Sequence, residues 1–358
     1  RGLQASPFRQ QPRFYAQRLA QTPPSAELAP YPDRFGTFQP YPGPGVRPAI
    51  LSGRDGRGGL EFLSEEVSQA CLCLGRFSAD QPLRVRWYGR RALEDNVQFW
   101  SATKFIAGLH VVCQANRRSP GQPIGDTWVR SRAGGAAEPF AALFQAMVDY
   151  APRGDGADGG SSNRIGYLLK QLLNPGEEDV QSWLRRLGGN PEALLLGWYG
   201  QWRTAVNPYL AGADLLAPGW DSPAGHPGQG RPLVEHRLLP RTRNLISAYD
   251  LVRMLTLLGW HRQLPRDSRL PGARWSSLST LVEGLGHDTA RYLDEALEQQ
   301  GLLEAIRAPV ILSKLGYGAV TGDPGIDALT YAAFASFQDI RSDPPRQRCF
   351  ALALRVPT

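Results

Sequence analysis

Ser101 and Lys104 stand three residues apart in Trp100-Ser101-Ala102-Thr103-Lys104-Phe105, a hydroxyl and an amine at a spacing that shares one helix face. Residues 105–113 are almost wholly apolar, a run long enough for a buried helix. A lysine drawn into such a helix is desolvated, which favours its neutral form, and a neutral amine beside a serine can accept the hydroxyl proton. Ser101 would open the helix, where free N–H groups and the dipole favour a developing oxyanion. The chemistry implied is an activated serine nucleophile. The plain alternative is a serine cap next to a lysine that reaches to solvent. Composition weighs against the alternative: of 40 basic residues only Lys104, Lys170 and Lys314 are lysines, and the other 37 are arginines. A chain that uses arginine wherever charge alone is wanted, and a lysine inside an apolar helix, implies a proton that must come and go.

Two later motifs offer partners. Gly159-Gly160-Ser161-Ser162-Asn163 sets hydroxyls and an amide before a helical stretch, 60 residues after Ser101. Leu312-Ser313-Lys314-Leu315-Gly316-Tyr317-Gly318 sets an ammonium and a small-residue turn at the end of an apolar, strand-like run. Each has a structural reading as well, Ser161 and Asn163 as a helix cap and Lys314 as a charged edge-strand residue.

The elements that must hold these groups read as a hairpin, then helices, then three strands. Residues 70–75 and 83–88 form the hairpin, with 63–67 ending a helix before it. Helical patterns cover 140–150, 165–173, 178–187, 247–258, 276–285 and 289–299, and strands cover 309–315, 328–337 and 348–356. Both chain ends would close one antiparallel sheet, and the central helices would form a second lobe with the site between the two. Residues 1–58, rich in Pro, Arg and aromatics, read as an extension to a domain spanning 59–358. That domain divides into a sheet lobe (59–100 and 306–358) and a helical lobe (101–305); the extension is expected to hold a short helix around 7–21 and to be otherwise extended. Residues 207–243 form a long loop of Gly, Pro and Trp.

Several function classes fall away. A net charge of +7 and a pI near 9.4 would suit an anionic partner, yet the arginines are spread along the chain without a nucleic-acid recognition motif, so no nucleic acid is expected. Cys71, Cys73, Cys113 and Cys349 contain no Cys-x-x-Cys pair, and the five histidines, with His226 and His236 the nearest, contain no His-Glu-x-x-His; neither metal nor cofactor is expected. No apolar run is long enough to span a membrane. The first residues carry no initiator Met and no signal h-region, so the chain reads as a mature or trimmed form.

Ser-x-x-Lys, Ser-x-Asn and Lys-x-Gly in that order resemble the signature of serine β-lactamases and penicillin-binding proteins, over roughly residues 60–356, with a spacing from Ser101 to Ser161 close to that of class A enzymes. The resemblance implies an α/β (α+β) fold with a five-stranded antiparallel sheet flanked by helices and an all-helical lobe, a soluble monomer, and a periplasmic or secreted location. It implies a small-molecule or peptide substrate, β-lactam or peptidoglycan-like. It makes Ser101 the nucleophile, Lys104 its base, Ser161 and Lys314 the proton relay to the leaving nitrogen, and Asn163 a substrate-amide contact. The N–H groups of Ser101 and Tyr317 become the oxyanion hole, and Gly316 gives the substrate access to the strand. Departures are plain. Ser162 replaces an Asp, with only local support expected to change, and Leu315 replaces a hydroxyl that helps bind a substrate carboxylate. In Trp202-Arg203-Thr204-Ala205-Val206-Asn207, Arg203 stands where class A enzymes carry the deacylating Glu. Arg cannot act as a base, so slow turnover is expected, with Glu192 the nearest replacement. The family's C-terminal helix is missing, and the helix around 7–21 is expected to cover that face. Three activities stay open: a slow serine hydrolase, a D-alanyl-D-alanine carboxypeptidase, and a catalytically idle binding protein. The last strand should lie beside the first and bring Cys349 near Cys71 or Cys73, expected on opposite sides of the sheet. A disulfide there would fit an oxidising compartment.

Overall fold

A computed structural model describes residues 3–21, 36–52, 59–78, 81–93, 95–131, 136–151, 160–172, 178–196, 199, 213–217, 244–320 and 325–358. The early alternation of apolar and polar residues becomes the antiparallel hairpin β1 (Gln69–Ser78) and β2 (Gln81–Arg90). The end of the chain supplies β3 (Ile306–Ala319), β4 (Asp327–Asp339) and β5 (Arg346–Pro357). The long strands run in the order β2-β1-β5-β4-β3, each pair antiparallel, so both ends of the chain close one sheet. Short strands Gln39–Pro40 and Ile50–Ser52 also pair with β2, bringing the sheet to seven strands where five were expected.

Strand alternation divides the side chains between two cores. Cys71, Cys73, Val85, Trp87, Leu312, Phe334 and Ala351 face the helices, while Ala70, Leu74 and Tyr88 join Phe38, Leu60 and Val67 on the other face. Cys71 and Cys73 therefore share a face, because residues two apart in a strand point the same way; the expectation of opposite sides is corrected. Cys349 does lie on β5 beside β1, but all four cysteines are buried thiols outside any disulfide, and its register partner is Gly75, whose carbonyl accepts from the Cys349 thiol at 3.3 Å. The expected disulfide is not formed.

The helices are α1 (Tyr15–Ala20), α2 (Lys104–Arg118), α3 (Phe140–Asp149), α4 (Gly160–Gln171), α5 (Val180–Gly188), α6 (Ala248–Gly259), α7 (Trp275–Leu285) and α8 (Tyr292–Gln299). Their starts are chemically marked: Asp179 caps α5 through the N–H groups of Gln181 and Ser182, and Ser247 with Asp250 forms a capping box on α6. Helix α6 lies across β1, β4 and β5 and is buried along its whole length. Helix α2, buried from Lys104 to Asn116, runs through the helical lobe, where Gly108 lets the Phe144 ring of α3 come close.

Residues 63–67 form turns, not the end of a helix. The carbonyls of Leu60 and Ser64 accept the N–H groups of Leu63 and Val67 in single three-residue turns, and the guanidinium of Arg90 joins the carbonyls of Leu60, Leu63, Ser64 and Val67 from the side. The first 58 residues are also more than an appendage. Tyr15, Ala16 and Leu19 enter the main core, and Arg253 donates to the carbonyls of Pro42 and Gly43 while lying 4.6 Å over the Tyr41 ring. Helix α1 packs against α7 and β3, and Phe8 with Leu297 covers Ile311 on the outer face of β3. No helix among the described residues is long and apolar enough to cross a membrane.

Candidate active site

Trp100–Thr103 forms a single 3-10 turn, and the α-helix begins at Lys104. The turn opens on Trp100 with φ +49°, a left-handed conformation that stores of order 1–3 kcal/mol in a non-glycine residue and needs surrounding structure to hold it. That support is visible. Phe99 O accepts from Ala102 N at 3.0 Å and from Thr330 Oγ1 of β4 at 2.8 Å. Strand β3 presses on the same turn, so a Cβ at Gly316 would sit 2.4 Å from Phe99 O and 2.8 Å from Ala102 N. Only glycine allows that approach.

β3 is the edge strand, and Leu315 turns its carbonyl off the sheet to accept from Tyr150 OH at 3.0 Å. In an antiparallel strand alternate residues turn both backbone groups to the same side, so the Tyr317 N–H faces the cleft as well. The Ser101 N–H, at the first turn, has no intrahelical partner to occupy it.

Lys104 is 0% exposed and its Nζ donates to Ser162 Oγ at 2.8 Å and Asn163 Oδ1 at 2.7 Å. Ser162 Oγ in turn donates to Met147 O at 2.6 Å, so its lone pair is what receives the lysine. The rings of Tyr199 and Tyr150 stand 5.2 and 5.4 Å from the nitrogen. Gly166 of α4 makes room: a Cβ there would lie 3.1 Å from Lys104 Cγ. No carboxylate pairs with Lys104 among the described residues. Burial first, and the charge of Lys314 second, hold its pKa well below the ordinary lysine value. A neutral amine has two N–H groups and one lone pair. Both N–H groups have acceptors here, and the lone pair is left over for a proton.

Lys314, also 0% exposed, lives differently. Its Nζ lies 3.7 Å from Asp288 Oδ1, donates to Leu315 O at 3.2 Å, and sits 3.9 Å from the Tyr150 ring centroid. Ser313 donates to the other oxygen of Asp288 at 3.0 Å. Burial pushes the Asp288 carboxyl up, against the pull of Lys314 and the Ser313 hydrogen bond.

Lys104 and Lys314 thus converge on the Tyr150 ring, Asn163 holds Lys104, and Gly316 lies against the Ser101 turn. Ser101 is half-buried, and its hydroxyl makes no hydrogen bond among the described residues. The bond expected from Lys104 Nζ to Ser101 Oγ is absent because that nitrogen turns to α4. Ser162, expected to matter only for local support, touches Lys104 directly. Ser161 stands in the first turn of α4, and its side chain, like residues 202–207 with Arg203 and the loop carrying His226 and His236, falls outside the described residues. Glu192 is exposed in the turn after α5. Tyr317 is exposed, with its hydroxyl on Asp327. Sequence reasoning missed Tyr150, Tyr199 and Asp288. Asp288 had a faint signal, an acid just ahead of a predicted helix; the two tyrosines had none. No group of His, Cys, Asp and Glu among the described residues is arranged to hold a metal ion.

No protein-family model and no curated protein matches the chain. Among solved structures it is similar to a class A β-lactamase from Bacteroides cellulosilyticus DSM 14838, at 13% identity over 80% of this chain and 83% of that one, with a TM-score of 0.42. It is also similar to the C-terminal domain of the Bacillus licheniformis BlaR penicillin-receptor, at 11% identity over 81% and 82% of the two chains and a TM-score of 0.38. A class D β-lactamase from Fusobacterium nucleatum subsp. polymorphum shares 9% identity over 80% and 84%, at a TM-score of 0.35. Identities this low leave activity open. In this chain a mixed antiparallel sheet, closed by the early hairpin and the last three strands, stands beside a helical lobe, and Asn163 and Lys314 are both brought to Lys104.

Proposed function

We propose that the protein is a serine hydrolase that forms an acyl-enzyme on Ser101 with an amide or ester. The observation that carries this reading is the state of Lys104: wholly buried, without a carboxylate, its two N–H positions taken by neutral acceptors and its lone pair unclaimed. A small rotation of that amine or of the Ser101 side chain would let the lone pair take the hydroxyl proton; catalytic hydrogen bonds in ligand-free sites are often long until substrate arrives. The carbonyl oxygen would then develop its charge against the N–H groups of Ser101 and Tyr317. Ser161 and Lys314 are assigned the return of a proton to the leaving group, and Asn163, already holding Lys104, the positioning of a substrate amide. Arg203 in the position of the deacylating Glu makes the ester long-lived and β-lactam turnover slow. Peptidase action on a D-alanyl-D-alanine end is compatible with the same groups. A periplasmic or secreted, monomeric protein fits such a substrate.

A second reading, ligand binding without catalysis, is favoured by one observation, the missing hydrogen bond between Ser101 Oγ and Lys104 Nζ. Intact mass after incubation with a panel of β-lactams and a fluorophosphonate separates the two. The hydrolase reading expects an adduct that the Ser101→Ala protein does not form; a folded wild-type protein that gains no mass from any reagent would exclude it.

A further inference from the structure

Tyr150 combines three features that no packing role requires together. It stands at the C-terminal end of α3 with φ +57°, a left-handed conformation rare for an aromatic residue. Its hydroxyl reaches from α3 to the sheet edge and donates to Leu315 O, 3.0 Å away. Between those two anchors its ring centroid lies 3.9 Å from Lys314 Nζ and 5.4 Å from Lys104 Nζ. Among the described residues Lys314 is the cation that β3, at its Gly316 end, offers to a negatively charged substrate. Its nitrogen is already surrounded by the ring, by Leu315 O at 3.2 Å and by Asp288 Oδ1 at 3.7 Å, and the side chain is 0% exposed. An incoming carboxylate would have to displace the ring and would then meet the Asp288 charge in the same low-dielectric space, where like charges repel most. The neighbouring side chain gives no help, since Leu315 packs against Ala290, Tyr331 and Ala333.

We propose that Tyr150 is a specificity-determining residue that screens Lys314 from substrate anions, so that the acyl donors this cleft accepts are neutral esters or amides. The proposal rests on the acyl-enzyme reading and adds a substrate class to it. The aromatic face holds the Lys314 charge as a fixed part of the wall, available to polarise a leaving group and closed to a carboxylate.

The test uses two thioesters with one acyl group, S-phenylacetyl thioglycolate and its methyl ester, with thiol release measured on the full chain. The unmodified protein is expected to react faster with the methyl ester. Tyr150→Ala should raise the ratio of carboxylate to ester rates by about tenfold, the size of one hydrogen bond to a charged group. Tyr150→Phe, which keeps the ring and loses only the hydroxyl, should stay near the wild-type ratio. Tyr150→Leu, which keeps apolar volume without the cation–π contact, should move with Ala and serves if the Ala protein does not fold. A wild-type preference for the free carboxylate, or a ratio that neither Ala nor Leu changes, overturns the screen. In that outcome fluorophosphonate labelling of Ser101 still stands; loss of labelling together with silence toward both thioesters removes the acyl-enzyme reading as well.

Discussion

Two of the three lysines in this chain are wholly buried on opposite sides of one cleft, and their surroundings are opposites. On the helical side Lys104 meets a hydroxyl and an amide oxygen, with no carboxylate among the described residues. On the sheet side Lys314 has Asp288, a backbone carbonyl and an aromatic face. Burial penalises both ammonium ions, but only the second has an anion to offset it. Burial and the nearby Lys314 together hold the Lys104 pKa well below the ordinary lysine value, so the two sides of the site act as a unit.

The largest expected effect is on rate. Lys104→Met should lower Ser101 acylation by about 10²–10⁴-fold, the typical worth of a general base, with a smaller loss of stability than the equivalent change at Lys314. Lys104→Arg should be no better than Met, because a guanidinium does not give up its proton. Stopped-flow acylation and urea melts on the same proteins read both quantities. Lys314→Met should behave in the other sense and destabilise by roughly 3–5 kcal/mol, because it strands Asp288 as an unpaired buried charge. Adding Asp288→Asn should return much of that loss. If the single and double variants unfold at the same urea concentration, the pair is not what distinguishes the sheet side.

The coupling itself can be read from pH. A folded Lys104 pKa below 10.5 means that the acylation rate rises with pH as the amine loses its proton. In the folded Lys314→Met, Asp288→Asn protein the acid limb of that profile should move to higher pH, because the second cause of the depression is gone. An unmoved limb would mean that desolvation alone sets Lys104.

Helix α2 buries a second base in the same manner. His110 is pushed down to about 4 by burial, with its Nε2 2.9 Å from Glu178 O. The folded pKa lies below the unfolded value of 6.5, so between 6.5 and about 4 the unfolded chain binds the proton that the native state refuses. Stability should therefore fall as pH falls through that window, by up to about 3 kcal/mol from this residue, and His110→Gln should flatten the dependence in urea melts. The smallest effect is at Gly166. Gly166→Ala places a Cβ 3.1 Å from Lys104 Cγ and 3.2 Å from the Tyr199 ring, and should cost about 1–3 kcal/mol while slowing acylation by shifting the amine. A rate unchanged in that variant would show that Lys104 has slack.

What the sequence disclosed follows from how local each signal is. Period-two alternation in β1 and β2 and helical periodicity in α3, α6 and α7 are written in consecutive residues, and those elements were legible to within a few positions. The spacing of Ser101, Asn163 and Lys314 is a pattern of residue types; the structure brings Asn163 to Lys104, while the Ser101 hydroxyl stays apart from that amine. What stayed hidden depends on partners far along the chain. In place of the helix end expected at 63–67 stand isolated turns whose carbonyls Arg90, more than twenty residues on, gathers. Ser162 reads as a spare cap until Lys104 and Met147 O are beside it. Tyr150 is the last residue of an ordinary helical pattern, and neither its left-handed backbone nor its place between two lysines can be read from its neighbours in sequence. The part that Tyr15, Leu19 and Tyr41 take in the core was hidden by the Pro- and Arg-rich composition around them, although all three are buried.

The central claim is that Lys104 activates Ser101, and peptide mapping of a covalent adduct tests it most directly. The protein is incubated with a fluorophosphonate, digested, and sequenced by mass spectrometry at several pH values. The account predicts one modified residue, Ser101, with a labelling rate that rises with pH and falls by orders of magnitude in Lys104→Met. Labelling at another residue, or Ser101 labelling that is as fast in Lys104→Met as in the unmodified protein, would contradict it.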